Sequence, residues 1–245
     1  MRRSVVLGVI VLGAIAALAF TTRPVCAAEA AAKPQADDHG ALAAEAHARC
    51  SVCVVLHGEA DDEPVRATRV HEGKSYGFCS EKCAQAFTDD PLAYLPPVLP
   101  RPAPEFALKT LAGKPVSVAA LRGQVVLVDF WATWCAPCRK SMPELQGLHE
   151  RFGAKGFSVL GVSIDERADA KVRKFVAQMK VGYPIAIDGG PAPAWQSYRV
   201  KSVPAAFLLD RTGQVVAQWT GRAPAGDELV RAIETALAAR GTATD

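Results

Sequence analysis

Residues 125–138 read Val125-Val126-Leu127-Val128-Asp129-Phe130-Trp131-Ala132-Thr133-Trp134-Cys135-Ala136-Pro137-Cys138. A run of β-branched and apolar residues ends in an aromatic corner, and two cysteines follow with two residues between them. The next residues, 139–145, are charged and helix-forming. This pattern predicts a buried strand that feeds the first turn of a helix, with the cysteine pair at the helix N-terminus.

The position of Cys135 at a helix N-terminus favours redox chemistry. Unpaired backbone N–H groups and the helix dipole stabilise an anion there, so a thiolate forms more easily than elsewhere. A lowered thiol pKa beside a second thiol makes a reversible dithiol/disulfide site. Taken alone, Cys-x-x-Cys would also fit a structural metal knuckle or a short disulfide.

The stretch resembles the active-site motif of thioredoxin-fold proteins, and three further features extend the resemblance. Asp129 lies six residues before Cys135, where thioredoxins carry their buried acid. Pro143 lies five residues after Cys138, where their active-site helix is kinked. Residues 202–207, Ser202-Val203-Pro204-Ala205-Ala206-Phe207, match the loop that places a cis-proline against the active site.

The resemblance implies thiol–disulfide exchange. Cys135, nearer the helix end, is expected to be the exposed nucleophile, and Cys138 then resolves the mixed disulfide. Asp129, buried under the helix with a raised pKa, is expected to accept the Cys138 proton. Pro204 is expected to present backbone groups to an extended substrate segment and to keep metals off the dithiol. The redox site itself needs no cofactor.

Trp134, next to Cys135, and Val203, in the proline loop, are expected to contact the partner. Trp131 and Trp134 either shape this surface or pack the loop. The expected partners are disulfide-bearing proteins, such as cytochrome or copper-site apoproteins, with a membrane thiol reductant upstream. A peroxidase is disfavoured, because no Thr-x-x-Cys precedes a lone peroxidatic cysteine.

The net charge argues against nucleic acid binding, and the N-terminus indicates export. The net charge of +3 over 245 residues is too slight to imply nucleic acid binding. Met1-Arg2-Arg3 precedes an apolar run over residues 5–20, and Cys26-Ala27-Ala28 offers small residues for cleavage. We therefore expect a signal peptide over residues 1–28 and a periplasmic protein, soluble after cleavage. An uncleaved N-terminal anchor is the main alternative.

The rest of the chain divides by composition. Residues 29–48 are alanine-rich and predict a spacer, and residues 49–95 a compact cysteine-rich domain. Residues 96–104 hold five prolines, which exclude helix and central strand and predict a semi-rigid linker. Residues 105–240 predict a thioredoxin-like domain.

The predicted elements of the C-terminal domain alternate between strand and helix. They are a hairpin within 105–118, a strand at 125–130, the active-site helix to about 152, a strand at 157–164, a helix at 168–180, short elements at 183–187 and 194–199, a hairpin over 205–220 and a helix at 227–240. Residues 105–240 resemble the TlpA/ResA family of exported thiol-disulfide oxidoreductases. Two positions depart from that family. It often has an uncharged residue where this chain has Asp129, and a glutamate where this chain has Ser141.

Four further cysteines form two short-spaced pairs, Cys50/Cys53 and Cys79/Cys83, separated by 25 residues. This spacing is usual for four thiolates around one ion. Residues 50–95 resemble the YHS/TRASH heavy-metal-binding domains, in which a small β-knuckle precedes a short helix with the last cysteine. One zinc or copper(I) ion is the expected ligand. Two disulfides remain the alternative, since export permits either.

The predicted fold is thus α/β, thioredoxin-like, with a small N-terminal cysteine-rich β-knuckle/helix domain. The predicted function is an exported thiol-disulfide oxidoreductase, working as a reductase, fused to a soft-metal-binding module. The alternative is a metal (copper) binding or delivery protein whose thioredoxin domain keeps the cysteine ligands reduced.

Overall fold

The computed structural model describes residues 46–58, 60–166, 168–224 and 226–239. The predicted signal peptide and nearly all of the predicted spacer lie outside these residues. Within the described ranges, no helix is both long and apolar enough to cross a membrane.

The elements alternate along the chain largely as predicted. The strands are β1 (His47–Arg49), β2 (Asp62–Pro64), β3 (Ala67–His71), β4 (Lys74–Phe78), β5 (Arg101–Pro102), β6 (Ala107–Lys109), β7 (Pro115–Ser117), β8 (Val125–Trp131), β9 (Phe157–Ser163), β10 (Ile185–Ile187), β11 (Ala205–Leu209) and β12 (Gln214–Thr220). The helices are α1 (Ser51–His57), α2 (Glu81–Asp89), α3 (Val118–Leu121), α4 (Ala136–Gly153), α5 (Asp169–Gln178), α6 (Ala194–Ser197) and α7 (Gly226–Ala238), with a 3₁₀ turn at Pro91–Ala93.

A six-stranded sheet organises the C-terminal part, in the order β10-β9-β8-β11-β12-β5. Strands β8, β9 and β10 are parallel, and β11, β12 and β5 add antiparallel neighbours. Strand β8 lies at the centre with all seven residues buried, as expected of a strand covered on both faces. The predicted α/β class is confirmed.

Alternate residues of β8 face two separate apolar cores, because successive side chains of a strand point to opposite faces. Val125, Leu127 and Trp131 pack with α4, α5 and α7 on one face. Val126, Val128 and Phe130 pack with α3 and α6 on the other. Helices thus cover both faces of the sheet, and the cysteine pair Cys135/Cys138 belongs to the first core.

The cysteine-rich part folds around a small core of its own. This core consists of Cys50, Val52, Val55, Ala67, Phe78, Ala84, Phe87 and Tyr94. The β3–β4 hairpin precedes α2, in keeping with the predicted β-knuckle and short helix. Helix α1 was not predicted. It begins directly after Cys50 and ends at Gly58, whose left-handed backbone closes it.

The proline-rich linker ends in the sheet. Arg101 and Pro102 pair with Val215 and Gln214 as the outermost strand, a position that proline tolerates because one side of an edge strand needs no N–H donor. The last residues of the linker are therefore held against the C-terminal part, and the described residues belong to one compact unit.

Candidate functional site

A disulfide joins Cys135 and Cys138 at the start of α4, with their Cα atoms 5.3 Å apart. Cys135 is the N-cap residue of this helix, and its sulfur accepts a hydrogen bond of 3.2 Å from the Cys138 backbone N–H. This donor and the helix dipole both stabilise negative charge on the Cys135 sulfur once the disulfide opens. The sequence predicts an exposed Cys135, but in the oxidised pair Cys135 and Cys138 are only 4% and 1% exposed, because both pack into the core beneath α4.

Asp129 lies in the middle of β8 and is buried. The strand alternation turns its side chain to the same face as Leu127 and Trp131, the face that α4 covers. Its cross-strand neighbours are Gly161 and Ala206, small residues that leave room for a carboxyl group. Burial raises the pKa of Asp129 to about 7, so the group can gain or lose a proton near neutral pH.

Tyr183 joins this buried region and was missed by the sequence analysis. Its hydroxyl has no hydrogen-bond partner among the described residues. Burial, with a smaller contribution from the negative charge of Asp129, raises the pKa of the phenol, so the hydroxyl stays protonated. No sequence signal marks a lone tyrosine as a neighbour of a carboxylate on a strand more than fifty residues away.

The loop before β11 carries the predicted proline. The Val203–Pro204 peptide bond is cis. Ala205 pairs with Phe130 on one side and with Thr220 on the other, so Pro204 lies at the strand ends, next to Trp131. Val203 packs against the core that contains both cysteines. The structure therefore brings the proline loop to the end of the sheet where the cysteine pair lies.

The two tryptophans of the motif have different environments. Trp131 is fully buried and stacks on Phe175, with ring centroids 5.4 Å apart. Trp134 is 64% exposed beside Cys135. Trp131 therefore packs the core, whereas Trp134 is available for contact with a partner.

A carboxylate that the sequence analysis missed anchors the loop between β8 and α4. Asp165 is buried and accepts hydrogen bonds from the Thr133 N–H at 2.7 Å, the Thr133 hydroxyl at 2.6 Å and the Ser163 hydroxyl at 3.0 Å. Burial alone would raise the pKa of Asp165, but these bonds and the nearby Lys171 ammonium hold it below its usual value. The available signal was its place just after β9, since the carboxyl ends of adjacent parallel strands meet at one edge.

The other four described cysteines come together as a separate cluster. Their sulfurs all lie within 4.8 Å of one another, and none forms a disulfide. Cys53 lies 3.5 Å from Cys79 and 3.8 Å from Cys83, and Cys79 lies 3.7 Å from Cys83. Four sulfurs around a tetrahedral ion with metal–sulfur bonds of about 2.3 Å would be about 3.8 Å apart. The donor set and its spacing therefore fit one soft metal ion.

The thiols of the cluster do not ionise alike. Burial opposes the ionisation of Cys50, but hydrogen bonds with Cys79 and Cys53 hold its pKa below the usual value. Burial raises the pKa of the Cys79 thiol to about 11, and burial together with the neighbouring thiols raises the pKa of Cys53. Four thiolates in this space repel one another, whereas a bound metal ion deprotonates its thiol ligands. Zinc or copper(I) would supply the positive charge that offsets the repulsion between the thiolates, and would link the starts of α1 and α2.

The predicted site residues thus form two groups. One consists of Cys135, Cys138, Asp129, Pro204, Val203 and Trp134 at the end of the large sheet. The other consists of Cys50, Cys53, Cys79 and Cys83 in the cysteine-rich part.

Known proteins resemble the C-terminal part of the chain. The AhpC/TSA family matches residues 99–218. The thiol-disulfide oxidoreductase ResA of Bacillus thuringiensis is 38% identical over 119 residues, which are 49% of this chain and 68% of ResA. A crystal structure from Chlorobium tepidum, described as the thiol:disulfide interchange protein DsbE, is 37% identical with a TM-score of 0.52 and covers 56% of this chain and 96% of that one. The thioredoxin domain of a Bacteroides vulgatus thiol-disulfide oxidoreductase is 29% identical with a TM-score of 0.51, and the match covers 57% of this chain and 98% of that one.

These similarities and the geometry of the cysteine pair agree, and the predicted thioredoxin-like fold is confirmed. The chain belongs to the AhpC/TSA family and, within it, to the thiol-disulfide oxidoreductases of the ResA and DsbE type.

Proposed function

We propose that this oxidoreductase works as an exported reductase of disulfide-bearing proteins. We further propose that its cysteine-rich domain, residues 49–95 and called the module below, holds one soft metal ion. The observation that carries the redox part is the Cys135–Cys138 pair at the start of α4. The spacing of the four sulfurs supports the metal part. Export rests on the apolar N-terminal run of the sequence and places the reaction in the periplasm, with a cleaved signal peptide or an uncleaved anchor.

The proposed reaction transfers two electrons from the dithiol to the partner. The Cys135 thiolate attacks a partner disulfide, forms a mixed disulfide and releases one partner sulfur as a thiolate. The Cys138 thiol gives its proton to the Asp129 carboxylate and attacks the Cys135 sulfur. The partner leaves fully reduced, and the Cys135–Cys138 disulfide is formed. A thiol reductant at the membrane would then reduce this disulfide again.

The environments of the Asp129 carboxyl group and of the surface around the cysteine pair suit these roles. A proton acceptor works best when its pKa lies near the working pH, and the pKa of Asp129 is about 7. The exposed Trp134 and the loop of Val203 and Pro204 flank the cysteine pair and would contact the extended partner segment. Cytochrome or copper-site apoproteins carry cysteine pairs of this kind and are the proposed partners.

The metal module gives a second candidate function. The cluster of four free thiols favours a metal-binding or delivery protein, in which the redox domain keeps these thiols reduced. The two functions differ in which disulfide the Cys135 thiolate attacks: a disulfide of a partner protein in the first, and a disulfide formed by the module's own cysteines in the second.

Trapping with a resolving-cysteine variant tests the proposal. The reduced full chain carrying Cys138→Ser is mixed with scrambled ribonuclease A, a protein with accessible disulfides. We expect a mixed disulfide that mass spectrometry maps to Cys135. The matched Cys135→Ser variant should form none at Cys138. A mixed disulfide found chiefly between Cys135 and one of Cys50, Cys53, Cys79 and Cys83 would contradict the reductase and favour the second function.

A further inference from the structure

Both cysteine-bearing helices of the module contact the segment 199–202, which leads directly into Pro204. Cys50 and Cys53 lie at the start of α1, and Cys79 and Cys83 lie around the start of α2. The far ends of the same two helices contact the oxidoreductase domain. The module is therefore packed against the proline loop.

The end of α1 is held to this loop by a side chain and by backbone contact. The Ser202 hydroxyl donates a hydrogen bond of 2.7 Å to the Val55 carbonyl. Gly58 and Gly221 meet so closely that a Cβ atom on Gly221 would lie 2.4 Å from the Val55 carbonyl oxygen and 2.7 Å from the Gly58 nitrogen. Both glycines have a positive φ, so this approach uses both the missing side chain and the left-handed backbone.

The end of α2 is held by charge. Asp90, which caps this helix, forms ion pairs with Arg199 and with Lys201, the latter at 3.0 Å. The Asp90 side chain is only 18% exposed, so these pairs are less screened than ordinary surface pairs. One hydrogen bond and two ion pairs thus connect the helices of the cysteine cluster to three of the four residues of segment 199–202.

These four residues precede the loop that flanks the redox pair. Ala205 pairs with Thr220, so the next position places Pro204 opposite Gly221, the glycine that contacts α1. A shift of α1 therefore acts on both sides of Pro204, and a shift of α2 acts on the residues that precede it. An ion held by the four thiolates would fix the starts of both helices relative to each other, and with them the ends that contact residues 199–202.

We propose that Ser202 is a positioning residue that links the metal cluster to the partner-binding loop, so that metal binding prepares the redox site for protein substrates. The inference rests on the proposed metal site and on the proposed role of Pro204. Small disulfides need only the cysteine pair, whereas a protein segment must also dock on the proline loop. Metal binding therefore lowers the half-saturating concentration of a protein disulfide and leaves the reaction with a small disulfide unchanged.

The experiment compares the reduced full chain with one equivalent of zinc and after zinc removal. The substrates are scrambled ribonuclease A and oxidised glutathione, and the formation of the Cys135–Cys138 disulfide is followed by mass spectrometry after alkylation. We expect zinc removal to raise the half-saturating concentration of ribonuclease about fivefold or more. The maximal rate and the rate with glutathione should change less than twofold.

A readout without catalysis follows the loop itself. Trypsin cleavage after Lys201 should become about fivefold faster when zinc is removed, because the Asp90 ion pair then loosens. Cleavage after Lys180, an exposed residue just after α5, serves as the control and should not change.

Variants of Ser202 separate the coupling from the metal site. Ser202→Ala with zinc bound should behave like the zinc-free chain toward ribonuclease while still binding one equivalent of zinc, and Ser202→Thr should restore the zinc effect. If zinc binds but changes neither ribonuclease saturation nor Lys201 cleavage, or if Ser202→Ala matches the wild type, the coupling is wrong and the metal site stands. If no zinc binds, the metal site and the coupling both fail.

Discussion

The carboxylate of Asp165 accepts two hydrogen bonds from Thr133, one from the backbone N–H at 2.7 Å and one from the hydroxyl at 2.6 Å. Thr133 lies two residues before Cys135, so this contact fixes the start of the loop that presents the nucleophile. A third hydrogen bond comes from the Ser163 hydroxyl at the end of β9. Thr133 and Ser163 are both buried. The cysteine pair is thus positioned from the neighbouring strand as well as from its own helix.

Asp165→Asn should destabilise the protein by about 2 kcal/mol at pH 7, because a charged acceptor of buried hydrogen bonds becomes neutral. The folded state lowers the pKa of Asp165, so its stabilising contribution is present above the unfolded pKa of about 3.9 and is lost as the pH falls through the folded value. Urea unfolding at pH 7 and at pH 2.5 should show the difference from wild type shrinking at the lower pH.

Asp188→Asn is the matched control for Asp165. Asp188 is also buried and also accepts two backbone hydrogen bonds, but from Ala194 and Trp195 at the start of α6. Both variants should lose stability, whereas only Asp165→Asn should shift the reduction potential of the Cys135–Cys138 pair. Equal potentials in the two variants would show that Asp165 has no role in positioning the cysteines.

Asp129→Asn should stabilise the oxidised protein at alkaline pH. The folded pKa of about 7 lies above the unfolded value of about 3.9, so wild-type stability falls as the pH rises through this window. The variant lacks this loss and should be more stable above pH 7 by up to about 4 kcal/mol, with no difference near pH 4. Urea unfolding at pH 4, 7 and 9 measures it, with the exposed Asp169→Asn as the control.

The same variant should slow the resolving step. Without the carboxylate, Cys138 loses its proton acceptor, and the release of reduced ribonuclease from the mixed disulfide should be about tenfold slower or more at pH 7. The rate of the wild type should rise with pH around 7, and the rate of the variant should not show this step. A variant that keeps the wild-type pH profile would remove Asp129 from the mechanism.

Trp134→Ala should weaken partner binding, whereas Trp131→Ala should lower the stability of the fold. Trp134 is exposed, so its loss should change stability by no more than about 0.5 kcal/mol but raise the half-saturating concentration of scrambled ribonuclease about threefold or more. Trp131 is buried, so its truncation should cost about 3–5 kcal/mol of unfolding free energy. Normal ribonuclease saturation in Trp134→Ala would show that this side chain does not contact the partner.

The full reduced chain should bind one equivalent of zinc or copper(I) through its four-cysteine cluster. Cys79→Ser should abolish this binding, because it removes a ligand that lies within 4 Å of two others. The double variant Cys135→Ser/Cys138→Ser should still bind one equivalent, which separates the cluster from the redox pair. Metal analysis after anaerobic desalting gives the stoichiometry. Two oxidised pairs and no metal in the native protein would make the module a disulfide framework.

Local sequence chemistry was sufficient to predict several elements. The β11–β12 hairpin was predicted with the bounds that the structure shows. Its turn is determined by neighbours in the chain, since the Asp210 carboxylate accepts the N–H groups of Thr212 and Gln214 and Gly213 takes a positive φ. The placement of Cys135 at a helix N-terminus was likewise readable from the strand that precedes it and the helix formers that follow.

The pairing of the other cysteines was only half readable. Their spacing favoured two pairs around one metal ion, but it left two disulfides as the alternative. The structure brings Cys53 to Cys79 and Cys83, across 26 and 30 residues, because the β3–β4 hairpin folds back and the core around Phe78 and Phe87 joins α1 to α2. That arrangement depends on packing, which no local pattern specifies.

Three relationships were decided by the tertiary structure alone. Asp165 reaches Thr133 because β9 lies parallel beside β8, the negative charge of Asp129 acts on the phenol of Tyr183, and Ser202 meets Val55 across 147 residues. Short-range propensities and turn chemistry are properties of a few adjacent residues, so they can be read from the sequence. Contacts between distant segments depend on which packing of the whole chain has the lowest free energy, and that is a property of all residues together.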